Sequence, residues 1–277
     1  MAAPLNQVIF PVSFQELFAA WNRFPDAVLY AGGTNLIGKQ SKNIISLPPV
    51  FICLDKIEEL QRITRTEQYL EIGAMVNLNR LTGLGKIVPE ILCACLENIA
   101  GPQVRNIATI GGNICSVSRL LDLPAILTAL DAQYEFRGAS NATRWVSAPR
   151  FHSKDHTILN EHELLTRIKL PLLQWDYAVY KKFYCEGYFN NETLAFLVKT
   201  QKNILSEIRV VYKGDSILRN KDAEDILNGK SLPLSRKTAA EFVGNWVYFL
   251  AEMNEVPELS VNSIINSIEE NLYNLSE

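Results

Sequence analysis

The chain has little of what a metal site needs. Among its 277 residues there are five cysteines and three histidines. No two cysteines form a C-x-x-C pair, and the odd count of Cys53, Cys93, Cys95, Cys115 and Cys185 argues against a disulfide framework. Free, mostly buried thiols in a reducing compartment are expected instead. Cys93 and Cys95 stand in a run where Ile91, Leu92, Cys95, Leu96 and Ile99 repeat at helical spacing, so packing rather than ligation is expected of them. His152 and His156 are four apart with His162 nearby, but no H-E-x-x-H accompanies them. They read as solvated surface residues, and no metal is expected.

A basic excess is also missing. The formal net charge is −3 and the pI about 5.8, and no Lys/Arg block breaks the mixed pattern, which excludes a protein that grips nucleic acid by its phosphates. No segment approaches the roughly 20 apolar residues of a membrane span. The first ten residues carry no basic stretch followed by an apolar one, so a soluble cytoplasmic protein is expected. Internal repeats and low-complexity tracts are absent too.

What is present is a chain with 48% hydrophobic and 21% charged residues, long enough to bury a core in two or three subdomains. Ser13-Phe14-Gln15-Glu16 reads as a capping box opening a helix whose stripe is Phe14, Leu17, Phe18 and Trp21. Strands are expected at 27–30, 50–54, 69–74 and 165–170, with helices near 77–81 and 89–100. From Tyr177 onward three β-rich runs follow, 177–185, 193–200 and 207–212. Helical spacing then returns in Ala240, Phe242, Val243, Val247 and Leu250, and in Ile264, Ile265, Ile268 and Leu272. A boundary is expected near 171–176.

Two glycine loops are the informative constellations. Ala31-Gly32-Gly33-Thr34-Asn35-Leu36 directly follows an expected strand, and consecutive glycines there permit positive φ and expose backbone N–H groups to an anion. Thr109-Ile110-Gly111-Gly112-Asn113-Ile114 pairs glycines again with a hydroxyl and an amide. Singly, each reads most simply as a turn. Together they form two nests able to hold a pyrophosphate from both sides. Neither fits G-x-G-x-x-G, and neither continues into Gly-Lys-Ser/Thr, so the Rossmann fingerprint and the P-loop are both excluded.

The ordered set LYAGGTNLI, EIGAMVNLNRL, IAGPQVRNIATIGGNI, LLDLPAILTALDAQYEF and YKKF resembles the FAD-binding subunits of the xanthine dehydrogenase family of molybdenum hydroxylases, over nearly the whole chain. The resemblance implies an α+β protein. Its flavin domain would be of the vanillyl-alcohol-oxidase type with two α/β subdomains, at 1–55 and 56–172, followed by a C-terminal domain at 173–277 with a three-stranded antiparallel sheet and helices. It implies that Leu29, Tyr30, Ala31, Gly32, Gly33, Thr34, Asn35, Leu36 and Ile37 wrap the FAD pyrophosphate and that Thr109, Gly111, Gly112 and Asn113 complete the grip. Ile99 and Ala100 resemble residues beside the flavin ring, Ala108 lines the same cleft, and Asp122 resembles a carboxylate near the adenosine end. Leu159 and Lys182 resemble residues approaching the ring. The partners implied are an iron-sulfur subunit and a molybdopterin subunit, with NAD or another acceptor taking the electrons.

The chain also departs from the family pattern. Asn35 stands where an acidic residue is usual, residues 116–123 replace an Ala-Ser-Pro-x-Ser-Asp-Leu run, and Gly187 and Tyr188 occupy the neighbourhood of an Arg. Two rival readings accompany the resemblance: a self-contained flavin reductase, such as the enolpyruvyl-UDP-sugar reductase of cell-wall synthesis, and a paralogue that lost its flavin and kept the fold as an assembly module.

Overall fold

The computed structural model describes residues 7–38, 48–116, 121–140, 142–152, 160, 162–183, 192–253 and 256–275. Three sheets follow one another along the chain. The first holds β1 (Gln7–Ile9), then α1 (Phe14–Arg23), β2 (Val28–Tyr30), α2 (Thr34–Gly38) and β3 (Val50–Cys53), with strand order β1-β3-β2, all parallel. Ser13 caps α1 by accepting from the Glu16 N–H at 3.2 Å. The return bond from Glu16 goes to the Val12 N–H at 3.0 Å, one residue earlier than a capping box places it.

The second sheet contains β4 (Ile63–Arg65), β5 (Tyr69–Gly73), β6 (Gln133–Arg137), β7 (Thr143–Ser147) and β8 (Leu164–Pro171) in the order β4-β5-β8-β6-β7, all antiparallel. The long excursion between β5 and β6 carries α3 (Leu78–Thr82), α4 (Glu90–Glu97), α5 (Pro102–Arg105), α6 (Ile110–Ile114) and α7 (Leu123–Ala129), and α8 (Ala148–Phe151) follows β7. This excursion brings the second glycine loop back to the first sheet.

The third sheet has four strands among the described residues, not the three expected. They are β9 (Tyr177–Phe183), β10 (Glu192–Gln201), β11 (Ile204–Lys213) and β12 (Ile217–Arg219), in the order β12-β11-β10-β9. The added strand, Ile-Leu-Arg, is too short to show a period in sequence, and only its pairing to Val211, Tyr212 and Lys213 defines it. The helices α9 (Lys221–Leu227), α10 (Arg236–Glu252) and α11 (Glu258–Asn274) complete the chain.

β10 explains how the parts are joined. Its side chains alternate between two cores: Ala195 and Leu197 pack with the first two sheets, while Leu194, Phe196 and Val198 pack with Phe242, Trp246, Ile264 and Ile268 of the closing helices. A strand buried on both faces reads as the continuous apolar run Leu-Ala-Phe-Leu-Val. The face that carries Thr193 therefore looks toward α4 and α7, where the candidate site begins.

Candidate functional site

β2 ends at Tyr30, and the chain reverses through Gly33 at φ +69°. A Cβ built on Gly32 would lie 1.8 Å from the Ile107 carbonyl oxygen. Only a residue without a side chain lets the first glycine loop press directly on the segment leading into the second. The two loops are clasped further along, where Asn35 Nδ2 donates to Ser116 Oγ at 2.9 Å across 81 positions. Asparagine, which stands where the family pattern has an acid, thus serves here as a donor to a neighbouring hydroxyl.

Between the loops lies a cleft of about 240 Å³. Twelve of the expected site residues line it: Leu29, Tyr30, Ala31, Gly32, Gly33, Thr34, Asn35, Leu36, Ala108, Thr109, Gly112 and Asn113. Val28 and Leu121 line it too and were not singled out from sequence, because an apolar residue at a strand end or beside a loop carries no chemical signature. No lining side chain is formally charged at neutral pH.

The two loops differ in what they offer. Among the described residues, no protein acceptor takes the N–H of Gly32, Gly33, Thr34 or Asn35. In the second loop the amides are already used: Ile110 donates to the Val76 carbonyl, Gly111 to the Ala74 carbonyl, Gly112 to Thr109 Oγ1 and Asn113 to the Thr109 carbonyl, all at 2.9–3.1 Å. The expectation that the second loop is also an amide nest is corrected accordingly. The second loop is a wall that offers side chains, and Gly111 is buried against Ala74 behind it, outside the cleft lining. Asn113 is only 6% exposed, and its Oδ1 is buried with no hydrogen-bond partner. A cleft lined by an asparagine with an orphaned acceptor and by four residues whose amides meet no acceptor among the described residues suits a ligand that is anionic and also carries a hydroxyl donor.

The remaining expected residues lie elsewhere. Ile37 is 50% exposed and is not part of the lining. Leu159 falls outside the described residues. Ile99 and Ala100 form a turn whose carbonyls bind Arg105. Asp122 and Lys182, expected at opposite ends of the cofactor, are partners: Lys182 Nζ donates to Asp122 Oδ2 at 2.6 Å, Thr193 Oγ1 donates to Oδ1 at 3.0 Å, and Lys213 Nζ is 3.9 Å from Oδ1. One buried ion pair cannot serve both the adenosine end and the ring of an extended dinucleotide, so those two assignments do not both hold.

The histidine expectation is also corrected. His152 is not a solvated surface residue. Its Nε2 lies 3.1 Å from the Tyr134 hydroxyl, it packs edge-on against Phe151, and burial lowers its pKa to about 3. His162 packs edge-on against Trp21, and His156 lies outside the described residues. Cys53 and Cys95 are buried and Cys93 half-buried, all three as free thiols. Burial, with the Asp122 carboxylate nearby, pushes the Cys95 thiol well up.

Fold and cleft together define a class of protein with an anion-accepting glycine-loop cleft that offers amides and, among the described residues, no charged side chain. The model of the FAD binding domain in molybdopterin dehydrogenase matches residues 4–173, and the chain belongs to that family: it is an FAD-binding oxidoreductase subunit of the molybdenum hydroxylase type. It is 30% identical over 250 residues to the carbon monoxide dehydrogenase medium chain of Hydrogenophaga pseudoflava, covering 87% of this chain and 86% of that one. To the nicotine 6-hydroxylase medium subunit of Paenarthrobacter nicotinovorans it is 25% identical over 250 residues, covering 88% and 87%. Among solved structures, quinoline 2-oxidoreductase from Pseudomonas putida 86 superposes with a TM-score of 0.80 at 23% identity, over 100% of this chain and 98% of that chain. No helix among the described residues is long and apolar enough to cross a membrane.

Proposed function

We propose that this chain is the flavin-carrying member of a three-part cytoplasmic assembly, receiving electrons from an iron-sulfur subunit that is itself served by a molybdopterin subunit. NAD or another acceptor then takes the electrons. The observation that carries this reading is that the amides of Gly32 to Asn35 meet no acceptor among the described residues and that these residues line one cleft with Asn113, whose buried Oδ1 has no partner. FAD supplies the electron chemistry when bound. The chain's own part is to bind and orient. Gly32, Gly33, Thr34 and Asn35 donate N–H groups to the diphosphate, Thr109 offers its hydroxyl, and Asn113 Oδ1 accepts from a sugar or ribityl hydroxyl. Tyr30, Ala31, Leu36, Ala108 and Leu121 shape the walls and exclude water. Ile99 and Ala100 are taken to border the ring.

The three-part division at 1–55, 56–172 and 173–277 is supported by each sheet lying within one part, and a vanillyl-alcohol-oxidase-type flavin domain is consistent with the first two. A partner role is favoured by the medium-chain relatives and by the chemistry of the cleft, whose lining holds the hydroxyls of Tyr30, Thr34 and Thr109 but, among the described residues, no carboxylate, histidine, cysteine or lysine. The test is reduction of the bound flavin. The isolated FAD-loaded chain is expected to pass electrons slowly from NADH to a dye and to leave purines, aldehydes and heterocycles untouched. Addition of the two partner subunits should permit reduction by the substrate of the assembly. Oxidation of a purine or aldehyde by the chain alone at an ordinary catalytic rate would replace this reading with a self-contained flavoenzyme.

A further inference from the structure

In the turn between α4 and α5 one guanidinium gathers three carbonyls. Arg105 Nη1 donates to the carbonyls of Glu97 at 3.0 Å, Ile99 at 3.0 Å and Ala100 at 2.7 Å. Among the described residues this guanidinium has no carboxylate partner, and its Nε is buried without a hydrogen bond. Ala100 stands at φ +46°, a left-handed conformation an alanine keeps only where its surroundings impose it.

The geometry of the trans peptide turns this clamp into a device. The N–H of each peptide points opposite to its C=O. Carbonyls of Ile99 and Ala100 drawn inward to Arg105 therefore aim the N–H groups of Ala100 and Gly101 outward and away from the guanidinium. Neither N–H meets an acceptor among the described residues. Two successive amides beside a left-handed residue make a concave donor pair. The turn is one short helix from the cleft wall, since α5 leads through Val104 to Ala108, whose N–H binds the Val104 carbonyl at 2.8 Å.

We propose that Arg105 is a positioning residue for the flavin ring: it sets the Ala100–Gly101 donor pair toward the ring, where the pair stabilises the negative charge that gathers on reduction. This rests on the reading that Ile99 and Ala100 border the ring. Arg105 touches neither ring nor diphosphate, and acts only through the turn. The diphosphate loop at Gly32 to Asn35 does not depend on it, so cofactor retention and cofactor tuning are separable.

The test uses Arg105→Ala and Arg105→Lys in the FAD-loaded chain, with Arg105→Gln as the replacement should the alanine variant prove insoluble. Arg105→Ala is expected to keep one FAD per chain, to shift the flavin absorption bands, and to slow reduction by dithionite by about tenfold or more. Arg105→Lys, which still donates to carbonyls, should restore most of both, and Arg105→Gln should show the same band shift at smaller size. In the FAD-free chain, limited proteolysis near Ala100 should be faster for Arg105→Ala than for wild type. Ring placement is checked separately by Ile99→Trp, which should quench the emission of the bound flavin. Quenching by Ile99→Trp together with an unchanged spectrum and reduction rate in Arg105→Ala would overturn the positioning role alone. Unquenched emission would show that the ring lies elsewhere and remove the reading beneath it.

Discussion

The carboxylate of Asp122 lies 2.6 Å from the ammonium of Lys182 across 60 positions, with both side chains about nine-tenths buried. The pair joins the start of α7 to β9. Along the same sheet face, Lys182, Thr193 and Lys213 form a cross-strand row, Thr193 facing Lys182 on one side and Lys213 on the other. Removing one partner of a buried pair leaves an uncompensated charge, which costs about 3–5 kcal/mol. Asp122→Asn or Lys182→Met should therefore lower stability by that order in urea titrations of the FAD-free chain. A combined Asp122→Asn/Lys182→Met variant should lose less than the sum of the two. Additive losses would show that the pair is not coupled.

The glycine positions should rank by what a side chain would meet. Gly32→Ala drives a Cβ into the Ile107 carbonyl, forcing the loops apart at a cost of about 2 kcal/mol or more, and should abolish flavin retention. Gly33→Val should do the same, because it adds the strain of φ +69° and a clash with the Tyr30 ring. Gly112→Val is expected to lose flavin as well, by crowding Thr109. Gly38→Ala, with nothing within 4 Å of the added carbon, should stay yellow. The ratio of flavin to protein absorbance after gel filtration reads all four.

The chain should select FAD over FMN. FMN lacks the second phosphate, and forfeiting two hydrogen bonds to a charged group at about 1.5 kcal/mol each weakens binding by about 100-fold. Cofactor released by heat and separated by chromatography should be FAD, and fluorescence titration of the FAD-free chain should show the same preference. Equal affinities would contradict a diphosphate grip at Gly32 to Asn35.

His152 should make the chain sensitive to acid. Its folded pKa, about 3, lies below the roughly 6.5 of an unfolded histidine. The unfolded chain therefore binds the extra proton first. The contribution to stability is fully present above pH 6.5 and declines as pH falls toward 3, by at most about 1.4 kcal/mol per pH unit. Phe151 and the Tyr134 hydroxyl crowd the ring and offer no anion to hold a proton there. Urea midpoints measured between pH 7 and pH 4 should fall more steeply for wild type than for His152→Gln. Parallel curves would mean that the ring is open to solvent.

Much of the site was legible in sequence because it consists of backbone. Paired glycines after an apolar run announce themselves, so the Ala31–Asn35 and Thr109–Asn113 loops are legible in sequence, and the fold brings both to one cleft. Helix α1 and the amphipathic closing helices were legible through period and capping. What failed was the part that depends on neighbours. β12 has only three residues, nothing in sequence foretells the packing of Tyr134 and Phe151 on His152, and Arg105 carries no signal because its partners are carbonyls, which every residue has.

The sequence by itself determined that two glycine loops exist, where they begin and which side chains attend them, since positive φ and close approach are properties of individual residues. Only the tertiary structure decided what each loop gives. Val76 and Ala74 consume amides of the second loop, those of the first meet no acceptor among the described residues, and Lys182 pairs with Asp122 across 60 positions. Which backbone and side-chain groups folding brings within 3 Å of one another decides this, and no local pattern encodes that distance.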